Sequence, residues 1–134
     1  MSKGTTIREE IEKLSHIYAQ EVLSRPTRVV SLPGRKCQPQ IVDTFLGYEL
    51  KALRKRITCP DMSTARYLRI FAEIGMKQVK LPYDPSRVQL LATGLEHSLD
   101  RIKEHLLERD LDTPGHAAAL RRVYARIRRR LAED

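Results

Sequence analysis

The run Ile41-Val42-Asp43-Thr44-Phe45-Leu46-Gly47-Tyr48-Glu49-Leu50-Lys51-Ala52-Leu53-Arg54-Lys55-Arg56-Ile57 decides how the centre of this chain is built. Its apolar residues Ile41, Val42, Phe45, Leu46, Leu50, Leu53 and Ile57 recur at intervals of three and four, and this spacing predicts one helix over 41–57. Pro39 suits the first position of such a helix. The cluster Arg54-Lys55-Arg56 stands at its end, where the helix dipole favours cations. Read in this way, the middle of the protein is helical.

Upstream, Thr6 and Glu9 form a capping-box pattern. A helix from about Ile7 to Ser24 then carries the stripe Ile7, Ile11, Leu14, Tyr18 and Val22. The β-branched run Thr27-Arg28-Val29-Val30-Ser31-Leu32, closed by Pro33-Gly34, reads as a short strand. Downstream, Thr58-Cys59-Pro60 is a break, and Asp61, Ser63 or Thr64 caps a helix that Gly75 stops after Ile74. Met76 to Leu81 alternates apolar and polar, the pattern of a second strand. Two short strands separated by helices can be neighbours in space, giving a small sheet on a helical body. From Tyr83-Asp84-Pro85-Ser86 two readings stay open. Either one long helix starts at Pro85 with the stripe Val88, Leu91, Leu95, Leu99, Ile102 and Leu106, or Arg87 to Leu91 is a returning strand and the helix begins near Thr93. In the last helix Thr113 caps, Pro114 starts, and Leu120, Tyr124, Ile127 and Leu131 form the stripe.

The 134 residues hold 25 Lys and Arg against 17 Asp and Glu, a net charge of +8, with 41% hydrophobic residues. This is the composition of one basic globular domain rather than a disordered chain. The charge is uneven: residues 25–57 hold eight basic and two acidic groups, and residues 113–134 hold six and two, whereas 81–112 hold four and seven. A concentrated positive field calls for an anionic partner. No apolar run is long enough to span a membrane, and Met1-Ser2-Lys3-Gly4 lacks the apolar segment of a secretory signal. No membrane partner and a cytoplasmic location are therefore expected. Cys37 and Cys59, the only cysteines, read as reduced thiols.

The stretch from Ser63 through Thr64, Ala65, Arg66, Tyr67, Leu68, Arg69, Glu73, Ile74, Gly75 and Met76 to Val79 resembles the recognition helix and first wing strand of winged helix-turn-helix domains. In that superfamily a Ser-Thr start, an Arg-x-Leu core, a Glu-x-Gly ending and an immediate apolar-polar strand recur. On a helical wheel Tyr67, Leu68, Ile70, Phe71 and Ile74 share one side, with Met62, Arg66, Arg69 and Glu73 opposite. The resemblance spans residues 61–91 and implies that Arg66 and Arg69 face a major groove. Ser63, Thr64, Arg54, Lys55, Arg56, Lys77 and Lys80 would flank them. Arg121, Arg122, Arg126 and Arg129, on the last helix, would add a secondary basic surface. The competing reading of all these arginines is a solvated outer face.

Catalytic constellations are sparse. His16, His97, His105 and His116 have no nucleophile or metal spacing beside them, and Glu104, His105 and Glu108 run in the wrong order for a helical metal site. Cys37 beside Arg35 and Lys36 would have a lowered thiol pKa. No cofactor and no metal are expected. The expectation is a mainly α single domain over 1–134 with a small two- or three-stranded β element and long terminal helices. It divides into an N-terminal packing helix (1–24), a winged-helix-like core (25–91) and a C-terminal helix pair (92–134). The expected function is non-enzymatic binding of duplex nucleic acid, as a small transcriptional regulator reading with the 61–74 helix. The alternative is a helical protein-interaction or scaffold module. Self-association through the long stripes of the terminal helices is expected under both.

Overall fold

A computed structural model describes residues 6–109 and 114–132. Helix α1 (Ile7–Ile17) opens with the expected capping box, in which the Glu9 N–H donates to Thr6 Oγ1 at 3.2 Å and the Thr6 N–H to Glu9 Oε1 at 2.7 Å. One π-helical turn (Tyr18–Val22) prolongs it. Strand β1 (Thr27–Ser31) follows. Next come β2 (Gln40–Thr44), β3 (Gly47–Ala52) and β4 (Lys55–Cys59), then α2 (Met62–Ile74), β5 (Gln78–Pro82), α3 (Pro85–Arg109) and α4 (Pro114–Ala132). Thr113 and the side chains of Glu108 and His116 lie outside the described residues.

The helix expected over 41–57 does not form; the segment is a three-stranded antiparallel meander, β2-β3-β4. The fold is accordingly α+β, with four helices and two small antiparallel sheets among the described residues, not mainly α with one minor β element. Three of the seven residues that made the helical spacing turn out to be turn residues. Phe45 and Leu46 form the β2–β3 turn, and Leu53, with φ +55°, lies in the β3–β4 turn. The true period is two. Ile41, Tyr48, Leu50, Ala52, Ile57 and Cys59 line the inner face, while Gln40, Val42, Glu49, Lys51, Arg56 and Thr58 line the outer one. Gly47, with φ +133°, closes the first turn, and a Cβ there would stand 3.2 Å from the Cys59 carbonyl.

Strands β1 and β5 pair antiparallel with Val30 opposite Val79, so the two strands read from the sequence are neighbours. The long-helix alternative holds for 85–109, with Val88, Leu91, Leu95, Leu99, Ile102 and Leu106 buried. Helix α2 packs on α3, the meander and α4, while α1 packs on α3 and α4. At the core, Phe71 lies 5.6 Å from the Tyr18 ring and 5.1 Å from Tyr67. The hydroxyls of Tyr18 and Tyr67 clamp the two backbone groups of one β5 residue, Lys80. The Lys80 N–H donates to Tyr18 at 3.1 Å, and Tyr67 donates to the Lys80 carbonyl at 2.7 Å. The stripes of α1 and α4 are covered within one chain: Ile7, Ile11, Leu14, Tyr124, Ile127 and Leu131 are all buried, and Leu120 is partly so. Self-association therefore cannot draw on them without unpacking the core. No helix among the described residues is long and apolar enough to cross a membrane.

Candidate nucleic-acid interface

The residues expected to touch an anion fall into separate places. Helix α2 begins at Asp61, whose carboxylate accepts the Thr64 N–H at 2.7 Å, and it ends at Gly75 in the left-handed region (φ +98°). The Gly75 N–H reaches the Ala72 carbonyl and the Met76 N–H the Phe71 carbonyl, satisfying the last turn. Thr64 is buried and Ser63 half-buried, so neither offers an open contact.

Arg66 and Arg69 converge on one carboxylate of α3. Arg66 reaches Glu96 through Nε at 3.1 Å and Nη2 at 2.6 Å, and touches Thr93 Oγ1 at 3.3 Å; Arg69 Nη2 reaches Glu96 at 3.2 Å. Burial works against the charged form of Glu96, but the two guanidiniums, Arg66 first, more than offset it and hold the carboxyl below its usual value. The same contact raises Arg66. These arginines join α2 to α3. The segment before α2 is a meander, so the helix that would position a recognition helix is not there.

Beside this pair, Glu73 accepts the Tyr124 hydroxyl at 2.5 Å and an ion pair from Lys103 at 2.6 Å, tying α2 to α4 and α3. The depression of about 400 Å³ between Gln38, Pro39 and α3 is lined by Glu96 and Glu73, both matched by cations, and by Asp100. No group of three or more metal-ligating side chains occurs among the described residues. Cys37 donates to the Ala72 carbonyl at 3.4 Å. Burial, then Glu73, push its thiol up against the weaker pull of Lys36, opposite to the lowering expected from Arg35 and Lys36. Burial likewise raises Cys59.

The open cations lie on the meander. Gln40, Lys51 and Arg56 stand in register across β2, β3 and β4 on the outer face, and Arg54 sits in the turn beside them. With Cys37, Gln38 and Leu53 they line a shallow depression of about 580 Å³ that contains three cations and no carboxylate. Lys51 and Arg56 are directly opposed, and like charges so placed destabilise a sheet. Glu49 relieves this only in part, at 3.8 Å from an Arg56 side chain that is 66% exposed. Lys55 and, on the approach to β2, Arg35 and Lys36 are also exposed. Lys51 and Gln40 were missed by sequence reasoning because only strand register places them beside Arg56.

Lys77 and Lys80 are exposed but border a different groove of about 560 Å³, with Tyr18, Leu23, Met76, Val79, Arg128 and Leu131. On α4, Arg121, Arg122, Arg126 and Arg129 face solvent, as their periodicity implies. Arg128 instead donates to the Ile74 carbonyl at 2.6 Å, and Arg130 pairs with Glu12 at 3.2 Å. The β2–β3 turn leaves Phe45 and Leu46 in water, where Phe45 alone forgoes roughly 1.5–3 kcal/mol of burial.

Comparison with known proteins finds no matching family model, curated protein or solved structure.

Proposed function

We propose that the protein binds duplex nucleic acid through its phosphates, without a reaction of its own, on the outer face of the β2-β3-β4 meander. The observation that carries this reading is the row Lys51–Arg56, only partly compensated by Glu49, with Arg54 beside it in a depression whose lining holds no carboxylate. Two cations set directly opposite each other lower the stability of the sheet, and an anion between them reverses that penalty. The depression is shallow and open, which suits a backbone running across it better than an enclosed small ligand. Its lining contains no aromatic side chain, so base stacking has no platform there. Arg66 and Arg69 are assigned to packing against Glu96. Arg35 and Lys36, exposed on the approach to β2, extend the same field, whereas Lys55, in register with Ala52, stands on the other face.

Fluorescence anisotropy of labelled DNA and RNA duplexes over a salt series tests this reading. Binding should weaken steeply with salt, by about 0.9 in the log–log slope for each phosphate engaged. Replacing Lys51, Arg54 and Arg56 together by Ala should flatten the slope by roughly two to three. The double change Arg66→Ala/Arg69→Ala should leave the slope unchanged. If the parent fails to bind either duplex at low salt, the reading falls and the basic face belongs to an acidic protein surface.

A further inference from the structure

Arginines of α4 that the meander does not use meet α1 in an arrangement that the fold does not need. The two helices are tied at one level by Arg130 and Glu12, at 3.2 Å. Four residues earlier on each helix the facing pair is Arg126 and Arg8, and Arg122 stands a further turn back on α4. These three guanidiniums surround a depression of about 490 Å³ floored by Ile7, Leu106 and Val123, and its lining holds no carboxylate. All three arginines are exposed, and none has an ion pair among the described residues. Glu9 lies about 100° further round α1 than Arg8 and accepts the Thr6 N–H. Each cation is poorly placed for the fold alone. Arg122 and Arg126 are like charges four residues apart on one helix, and Arg8 sits in the first turn of α1, at the positive end of its dipole. One bound anion relieves all of these repulsions together.

The depression faces away from the meander. Outward from the meander come α2, then α3 and α4, then α1. Arg128 reaches the Ile74 carbonyl of α2 and stands beside Arg35 and Lys36. Arg126, two residues earlier and therefore about 200° round α4, points to the opposite side. We propose that the protein joins two duplexes, holding one on the meander and a second on the depression of Arg8, Arg122 and Arg126. The proposal rests on the phosphate-binding reading above and adds a second occupied face. With Arg129, also exposed, Arg122 and Arg126 form a row at intervals of four and three residues, about 10 Å long. Such a row spans about three phosphate steps of 3.4 Å along one strand. It suits a length of backbone better than a single small anion. One duplex touching both faces would have to turn back on itself around three layer spacings of roughly 8–10 Å each. That is far tighter than the 45° or so per ten base pairs of nucleosomal DNA. Two separate segments meet no such cost.

A duplex of ten base pairs, about 34 Å long, can occupy only one face at a time. Two measurements are combined: the number of such duplexes bound per chain at low salt, and capture of a free labelled duplex by protein bound to a duplex fixed on beads. The parent should saturate at two duplexes per chain and capture the labelled one. The triple change Arg8→Ala/Arg122→Ala/Arg126→Ala should saturate at one and capture none, with a circular dichroism spectrum like that of the parent. Lysine at the same three positions should restore capture, since it still meets phosphate. The triple change Lys51→Ala/Arg54→Ala/Arg56→Ala should also saturate at one and capture none. Lys13→Ala, which removes an exposed cation elsewhere on α1, should behave as the parent does. Saturation of the parent at one duplex, or capture by the Arg8→Ala/Arg122→Ala/Arg126→Ala variant equal to the parent's, discards the second face and leaves phosphate binding on the meander standing. Loss of all binding in the meander variant likewise discards the second face. Failure of the parent to bind any duplex removes both.

Discussion

Gly75 shows how little freedom some positions retain. Its φ of +98° already disfavours any side chain, and a Cβ would lie 2.7 Å from the Lys36 nitrogen and 3.1 Å from the Arg35 carbonyl carbon. Gly75→Ala should therefore cost more than the roughly 1–3 kcal/mol of a strained backbone alone, and urea titration checks it. Glu96 gives a pH dependence with a definite sign. Its folded-state pKa is depressed below the ordinary value of 4.5, chiefly by Arg66 once burial is offset. Its contribution to stability is accordingly complete above about pH 4.5 and is lost as pH falls through the folded-state value. Glu96→Gln should be less stable than the parent at neutral pH, and the gap should close in acid. A gap that stays constant from pH 7 to pH 2 would contradict the assignment.

Each short element is held by contacts remote in sequence. Strand β5 depends on the two tyrosine hydroxyls that satisfy the N–H and the carbonyl of Lys80, 62 residues away for Tyr18 and 13 for Tyr67. Tyr18→Phe and Tyr67→Phe should each cost about 1 kcal/mol, because each removes a part-buried hydrogen bond to the Lys80 backbone. The Lys80 amide should exchange faster in Tyr18→Phe, a change that hydrogen exchange by NMR reads directly. Such dependence explains what was legible in the sequence. The helical stripes of α1, α2 and α4 were plain, because each apolar set buries on one face whatever it packs against, whereas the start of α3 stayed open between a helix from Pro85 and a strand over 87–91. The meander was not, because Phe45, Leu46 and Leu53 imitate a helical spacing while occupying turns, and Gly47 was the one residue in the run that argued against a helix. Of the site, the Arg54-Lys55-Arg56 cluster was visible as a charge run. Glu96 lies 30 residues beyond Arg66, so nothing local could mark the arginine face of α2 as already occupied.

At the scale of the molecule, α1 and α4 spend their apolar stripes on the chain's own core. Ile127 is fully buried. Ile127→Asp should abolish the cooperative thermal transition, since an unpaired carboxylate in the core is among the costliest changes. If it instead dissociated an oligomer and left a folded monomer, light scattering with circular dichroism would show that α4 serves an interface. The two-stranded ribbon also has a directional character. One margin of β5 is plugged by the tyrosines, whereas β1 offers its far margin to solvent, with Val29 more than half exposed. That margin of the ribbon is where foreign backbone can add, and Pro26 just before β1 and Arg28 within it discourage such addition. Growth of an ordered aggregate from this ribbon is thus one-sided in the native chain. Loss of both plugs would make it two-sided, turning a terminating strand into a propagating one.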